Sequence, residues 1–225
     1  LLLTLRHLFE DPRFATLPEE GYYRHEALVR AVVWYFDFFK DDGMKVQSYA
    51  DGTPMVEVSF RFAIGQSRYS EEDVLLCGHI DAVVSLGEQV YVADHKTTKT
   101  TLGEHYFSRY SPDTQMSLYS LAGRIALGVD ADGVLINGVQ TLIDGTNFAR
   151  GFAHRTQLQL EEFLSDTIDW IELAEQMALS ESYPMNSKNC FMCDFRDVCS
   201  KDPSVRGAFL AADFTKRLWN PLQNR

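Results

Sequence analysis

Apolar and polar positions fall into two periods along this chain. Met55-Val-Glu-Val-Ser-Phe-Arg-Phe62 alternates with a period of two, which predicts a first strand. Val56, Val58, Phe60 and Phe62 share one face of it, and Glu57, Ser59 and Arg61 the other. Residues 65–72 read as a turn, and 73–86 and 89–97 as two further strands joined by Gly87-Glu88. Gly at the first place of a two-residue loop is a type II′ hairpin signal. Helical spacing predicts helices over 1–10, ending near Asp11-Pro12, and from Pro18-Glu19-Glu20-Gly21 to about Phe39. The second presents a broad apolar face of Ala27, Val29, Val32, Val33, Tyr35, Phe36 and Phe39, and Asp41-Asp42-Gly43 ends it. Residues 106–110 read as a short turn or loop. Ser111 as N-cap and Pro112 at the first helical position then open a helix to about Leu127, with Leu118, Leu121, Ala122 and Ile125 on its apolar side. Gly133 to Val139 is a strand, 141–151 is turn-rich, and 152–155 pairs back as a strand. A long amphipathic helix follows over 158–179, with Phe163, Ile168, Trp170, Ile171 and Leu173 among its apolar residues. The tail, 209–221 with Trp219-Asn220-Pro221, is expected to pack back as a helix and cap. This order predicts an α/β core, a mixed central sheet flanked by helices. The expected divisions are an N-terminal helical region over 1–45, the core over 46–180 and a cysteine-bearing region with tail over 181–225.

A chain of 225 residues with 45% hydrophobic composition can bury a proper core as one domain without disulfides. It carries no apolar run of about 18 residues, so no membrane partner is expected. No signal peptide is visible; the chain starts at Leu1 rather than Met, and its first residues read as the end of a helix already under way. Four cysteines in an acidic chain without a secretory signal point to a reducing, cytoplasmic setting. The net charge of −11 argues against coating nucleic acid by bulk electrostatics but leaves room for an enzyme with a local basic groove. Lys96, Lys99, Arg109 and Arg124 are the candidates for such a groove. For the last three, a solvated mixed-charge surface is the competing reading.

The hairpin carries the candidate chemistry. With Gly87-Glu88 as the loop, Leu86 faces Gln89 and Asp81 falls opposite Asp94, with Lys96 one pleat along on the same face as Asp94. Opposed Cβ atoms sit about 4.5–5.5 Å apart. Two carboxylates that close repel unless a cation lies between them, which makes a divalent metal site the first hypothesis. The alternative is two ordinary polar residues on an exposed face, although Asp is depleted in strands. A one-residue slip would send one Asp to the other face.

Gly78-x-x-Asp81, Asp94-x-Lys96 and Gln115-x-x-x-Tyr119, with the run Tyr91-Val-Ala-Asp-His-Lys-Thr-Thr98, resemble the motif series of the RecB-type branch of the PD-(D/E)XK nuclease superfamily. The resemblance is strongest to its iron–sulfur members: the AddB nuclease domain, CRISPR-adaptation exonucleases and phage relatives. It spans roughly 56–199. It implies a restriction-endonuclease-like core in which Asp81, Asp94 and the backbone carbonyl of His95 bind Mg²⁺ or Mn²⁺. Lys96 would orient or deprotonate the attacking water, and Gln115 and Tyr119, sharing one helix face, would position the DNA backbone or water. Glu57 matches an acidic position at the start of the family's sheet, with an ordinary edge-strand Glu as the equal alternative. The family's metal-binding His lies on a helix expected ahead of Leu1, so His25 reads as a surface His. His79 is expected to pack or hydrogen-bond. The implied activity is an exonuclease acting on single-stranded or duplex DNA ends in a prokaryotic or phage setting. The alternative is a non-catalytic DNA-binding subunit of a larger complex; the sequence names no protein partner.

A second group is Cys190-x2-Cys193-x5-Cys199, following Tyr183-Pro184. Thiolates at that spacing bind zinc or iron–sulfur clusters; three reduced free thiols are the alternative. By resemblance this is a structural 4Fe–4S cluster, with Zn²⁺ as the competitor and the first cysteine near the N-terminus, ahead of the first helix. Cys77, on a strand, is expected to be a buried core thiol.

Overall fold

The two strands flanking Gly87-Glu88 form the spine of the molecule. The computed structural model describes residues 1–69 and 71–217. Six strands make one mixed sheet: β1 (Met44–Val46), β2 (Val56–Gln66), β3 (Asp73–Leu86), β4 (Gln89–Thr98), β5 (Gly133–Thr141) and β6 (Thr146–Ala153). The hairpin closes in the register set by its loop, with Leu86 facing Gln89 and Ala82 facing Ala93. Gly87 occupies the left-handed region at φ +64°, where a Cβ is penalised. At the far edge β3 pairs antiparallel with both β1 and β2. On the other side β4 pairs with β5 in parallel, and β5 returns through an antiparallel hairpin to β6.

A parallel pair needs a crossover. Here it carries α3 (Glu104–Ser108) and α4 (Thr114–Ile125), which lays α4 across one face of the sheet. α5 (Gln157–Leu179) packs beside it, opened by a capping box between Thr156 and Gln159. The main core lies between these helices and the sheet, where Ile80, Val83, Val92, Val134, Ile136, Met116 and Leu160 are buried. Each such side chain contributes about 1.5–3 kcal/mol. The N-terminal helix α1 (Leu2–Glu10) leads to α2 (His25–Phe38), which lies on the opposite face over β5 and β6. Two short helices, α6 (Arg196–Cys199) and α7 (Pro203–Asp213), follow α5.

Several local expectations are corrected. α2 starts at His25, not at Pro18, because Gly21 sits at φ +98° and turns the chain before Arg24 caps the helix. Only Ala27 and Ala31 of α2 are buried, and Trp34, Phe36 and Phe38 are exposed, because the helix covers an edge of the sheet rather than its centre. On α5, Trp170 is likewise exposed. α3 forms where a turn was expected. α4 is capped by Asp113, whose carboxylate accepts from the Met116 N–H at 3.1 Å, and not by Ser111. β1 was missed, being too short for periodicity to register, and β6 begins at Thr146 inside the stretch read as turns. Val56 is exposed rather than facing the core, because Glu57 adopts φ +49° and breaks the alternation, so that Met55 is buried in its place. Cys77 is half-buried. Of the expected C-terminal helix and cap, α7 is present up to Asp213, and 218–221 lie outside the described residues.

Candidate active site

Asp94 projects from β4 into the space beneath α4 and is 3% exposed. Burial pushes its carboxyl above the ordinary carboxylate range, the charge of Asp81 adds to the rise, and Lys96 pulls only partly the other way. Lys96 Nζ lies 3.1 Å from Asp94 Oδ1 as a hydrogen bond. It approaches Oδ2 at 2.8 Å off the hydrogen-bonding direction, so that Oδ2, sealed from solvent, has no hydrogen bond. Across the hairpin, Asp81 Oδ2 accepts the backbone N–H of His95 at 2.7 Å. The pairs Val56↔Ala82 and Val58↔Ile80 bracket Glu57 and Asp81, so the kink at Glu57 falls across from Asp81 on the neighbouring strand.

A continuous chain of hydrogen bonds ties the two strands to α4. Lys96 Nζ donates to Gln115 Oε1 at 2.7 Å, Gln115 Nε2 donates to Tyr119 Oη at 3.0 Å, and Tyr119 donates to the His79 carbonyl at 2.7 Å. That carbonyl belongs to the strand that presents Asp81. Burial, then the nearby Asp94, raises the Tyr119 phenol above its usual value, so it stays protonated and donates. The start of α4 is anchored by buried Arg155, which donates to the Tyr110 carbonyl at 2.8 Å and to Ser117 Oγ at 3.0 Å. Replacing Tyr119 by Phe removes one link while keeping the ring. Turnover is expected to fall about tenfold with little change in melting temperature, and steady-state kinetics beside a thermal melt checks this.

Gly78 has a packing reason to be glycine. A Cβ there would lie 2.8 Å from Phe60 Cζ. Phe60 is buried and meets the Tyr119 ring edge-on at 6.4 Å, so a methyl at position 78 presses through Phe60 on the helix that carries Gln115. Gly78→Ala is expected to destabilise the protein by about 1–3 kcal/mol, read by denaturant unfolding.

The structure thus brings together Asp81, Asp94, Lys96, Gln115 and Tyr119, with Glu57 on the adjoining strand. His95 presents its backbone here, while its ring is on the other face. His79 hydrogen-bonds Ser59 Oγ at 2.9 Å, as expected. His25 packs edge-on against Phe14 at 4.6 Å, in an apolar groove also lined by Phe9, Val29, Val33 and Trp34. Lys99 lies over the Tyr22 and Tyr23 rings at 4.5 and 5.3 Å, Arg109 over Tyr106 at 4.4 Å, and Arg124 reaches Gln157 at 3.4 Å. The residues that sequence reasoning missed are Asn137, which contacts the His95 ring from behind the sheet, and Tyr35, whose hydroxyl meets Asn137. An Asn interrupting the apolar run Val134-Leu-Ile136 was the available signal.

Among the described residues, no group of three or more His, Cys, Asp or Glu side chains is gathered as a metal site, so neither Cys190, Cys193 and Cys199 nor Glu57, Asp81 and Asp94 converge on one as a set of three. The hairpin pair nevertheless suits a hard cation. Its donors are carboxylate oxygens, one of them buried without a hydrogen bond, in surroundings that disfavour the bare charge. No helix among the described residues is long and apolar enough to cross a membrane.

Comparison with known proteins bears on the fold and the family. The chain is similar over 85% of its length to the crystal structure of a "Putative exonuclease" from Eubacterium rectale, with a TM-score of 0.50, 15% identity and 66% of that chain covered. It spans 79% of a second crystal structure, SSO0001, at 14% identity, 87% coverage of this chain and a TM-score of 0.44. No curated protein matches it. The model of the PD-(D/E)XK nuclease superfamily matches residues 5–200. A match over most of the chain, on a mixed sheet flanked by helices, shows that the chain belongs to the PD-(D/E)XK nuclease superfamily.

Proposed function

We propose that this nuclease-superfamily chain is a divalent-metal-dependent deoxyribonuclease of the RecB-like branch, acting as an exonuclease on DNA ends. The observation that carries the reading is the nearness of Asp81 and Asp94, each one residue beyond the last hairpin pair Ala82↔Ala93, with Asp81 on the His95 N–H and Lys96 beside Asp94 and fastened to Gln115.

Asp81 and Asp94 would hold Mg²⁺ or Mn²⁺, with the His95 carbonyl and Glu57 as further oxygen donors. When bound, the cation supplies a nucleophilic water at neutral pH and offsets charge on the phosphate. Lys96, fixed between Asp94 and Gln115, places an ammonium where it can orient the attacking water and face a phosphate oxygen. Gln115 and Tyr119 keep Lys96 in that position and seal the carboxylates on the α4 side. Lys99 on its two tyrosines and Arg109 on Tyr106 are exposed cations, supported by rings, suited to phosphates of the substrate strand.

The test uses end-labelled single-stranded and duplex linear DNA beside a covalently closed circle, in Mn²⁺ and in Mg²⁺. The reading expects linear DNA to be consumed and the circle spared. Cutting of the circle would make the protein an endonuclease. The reading extends to Cys190, Cys193 and Cys199 as ligands of a structural iron–sulfur or zinc site completed from elsewhere. Its support is their C-x2-C-x5-C spacing along the chain. Iron, sulfide and zinc analysis of the purified full-length protein tests it.

A further inference from the structure

The face of the sheet opposite the carboxylates carries a polar ladder at a single register. His95 on β4 pairs with Asn137 on β5, and Asn137 with Arg150 on β6. Asn137 is fully buried, in a strand otherwise built of Val, Leu and Ile at this point. Its Nδ2 lies 2.6 Å from the Tyr35 hydroxyl of α2 and 3.0 Å from His95 Nδ1, and its Oδ1 is buried without a hydrogen bond. Turning the amide over keeps both contacts, with Oδ1 then accepting from Tyr35 and from a protonated Nδ1. Arg150 forms a two-pronged pair with Asp42, just beyond α2, one prong at 3.0 Å, and lies over Phe39 at 4.2 Å. An apolar side chain at 137 would avoid burying an amide one of whose polar atoms is left unpaired in either orientation. The cost is borne at the β5 position that pairs with the residue between Asp94 and Lys96.

We infer that Tyr35 and Asn137 are positioning residues for the hydrolytic centre, an inference that rests on the nuclease reading above. Tyr35 holds Asn137, and Asn137 meets one nitrogen of the otherwise exposed His95 ring from behind the sheet. The His95 backbone is thereby held, with its N–H on Asp81 Oδ2 at 2.7 Å and Asp94 and Lys96 on either side. α2, which supplies no group to the centre itself, sets the spacing of the two carboxylates through this relay. A displacement of about 1 Å at such a centre is enough to cost a large part of the rate.

The test compares the full-length protein with Tyr35→Phe, which removes one hydroxyl and keeps the ring against Phe39 and Phe148, and with Asn137→Leu. Three quantities are read: amide hydrogen exchange at His95 in metal-free protein, kcat and KM on linear DNA, and melting temperature. The relay predicts that Tyr35→Phe speeds exchange at His95 about tenfold while Val134 to Ile136 stay protected. It also predicts kcat about tenfold lower at unchanged KM. Wild-type exchange at His95 in Tyr35→Phe, or faster exchange with unchanged kcat, would overturn it. If Asn137→Leu fails to fold, Tyr35→Phe alone decides. If the wild-type protein cleaves no DNA, the nuclease reading fails, while the exchange comparison still tests whether Tyr35 holds the His95 backbone.

Discussion

Asp94→Asn is expected to abolish DNA cleavage while raising the melting temperature of the metal-free protein at neutral pH. The two effects share one cause. The Asp94 carboxylate is buried beside Asp81, and its folded-state pKa is raised, by burial first and by Asp81 second. A carboxyl whose pKa is higher in the folded state binds protons more tightly there. Its charged form therefore subtracts stability above the folded pKa, and the penalty fades as pH falls through that pKa toward the unfolded value of about 3.9. Asn has the same shape without the charge, so its gain should be present at pH 7 and absent near pH 3. Thermal melts in EDTA at the two pH values check this. Mn²⁺ should reverse the order at pH 7. A ligand at a hundred times its Kd adds about 2.7 kcal/mol to the wild type, and little to a variant missing a principal donor. Loss of catalysis should reach at least about a hundredfold, since the carboxylate charge that would hold the cation is gone.

Lys96→Met carries the second large effect. Its ammonium lies 2.8 Å from Asp94 Oδ2, and it joins the hairpin to α4 through Gln115. Removing it leaves a buried carboxylate without its counter-charge, expected to cost about 1–3 kcal/mol of stability in EDTA. Cleavage should fall by about a hundredfold or more. Lys96→Arg restores charge but not shape, because a planar fork cannot replace a compact ammonium between Asp94 and Gln115, and it is expected to stay below about a tenth of wild-type activity. The double variant Asp94→Asn/Lys96→Met should be more stable than Lys96→Met alone, and a double-mutant cycle in thermal melts reads that coupling.

Much of the centre was legible in the sequence because its parts are local. Gly87-Glu88 sets the hairpin register, that register places Asp81 against Asp94, and strand alternation puts Lys96 beside Asp94. The spacing of Gln115 and Tyr119 puts both on one face of α4, although that this face meets Lys96 depends on the crossover between β4 and β5. What the sequence did not reveal has non-local causes. The backbone at Glu57 turns into a positive-φ conformation that alternation does not reveal. Gly78 is small because of Phe60, a residue of the neighbouring strand. The His95–Asn137–Arg150 ladder exists only because β4, β5 and β6 lie side by side, and Tyr35 joins it from the helix that covers that same face. The Cys190, Cys193 and Cys199 spacing is equally visible in the chain, but the fold does not gather those thiols into a metal-holding group.

The most direct test of the central claim is the release of nucleotides from linear DNA by the full-length protein with Mn²⁺, with Mg²⁺ and with EDTA, beside Asp94→Asn. The account predicts release that requires a divalent cation and disappears in the variant. Tight DNA binding with no hydrolysis under any divalent cation would contradict it, leaving a nuclease fold that holds DNA without cutting it.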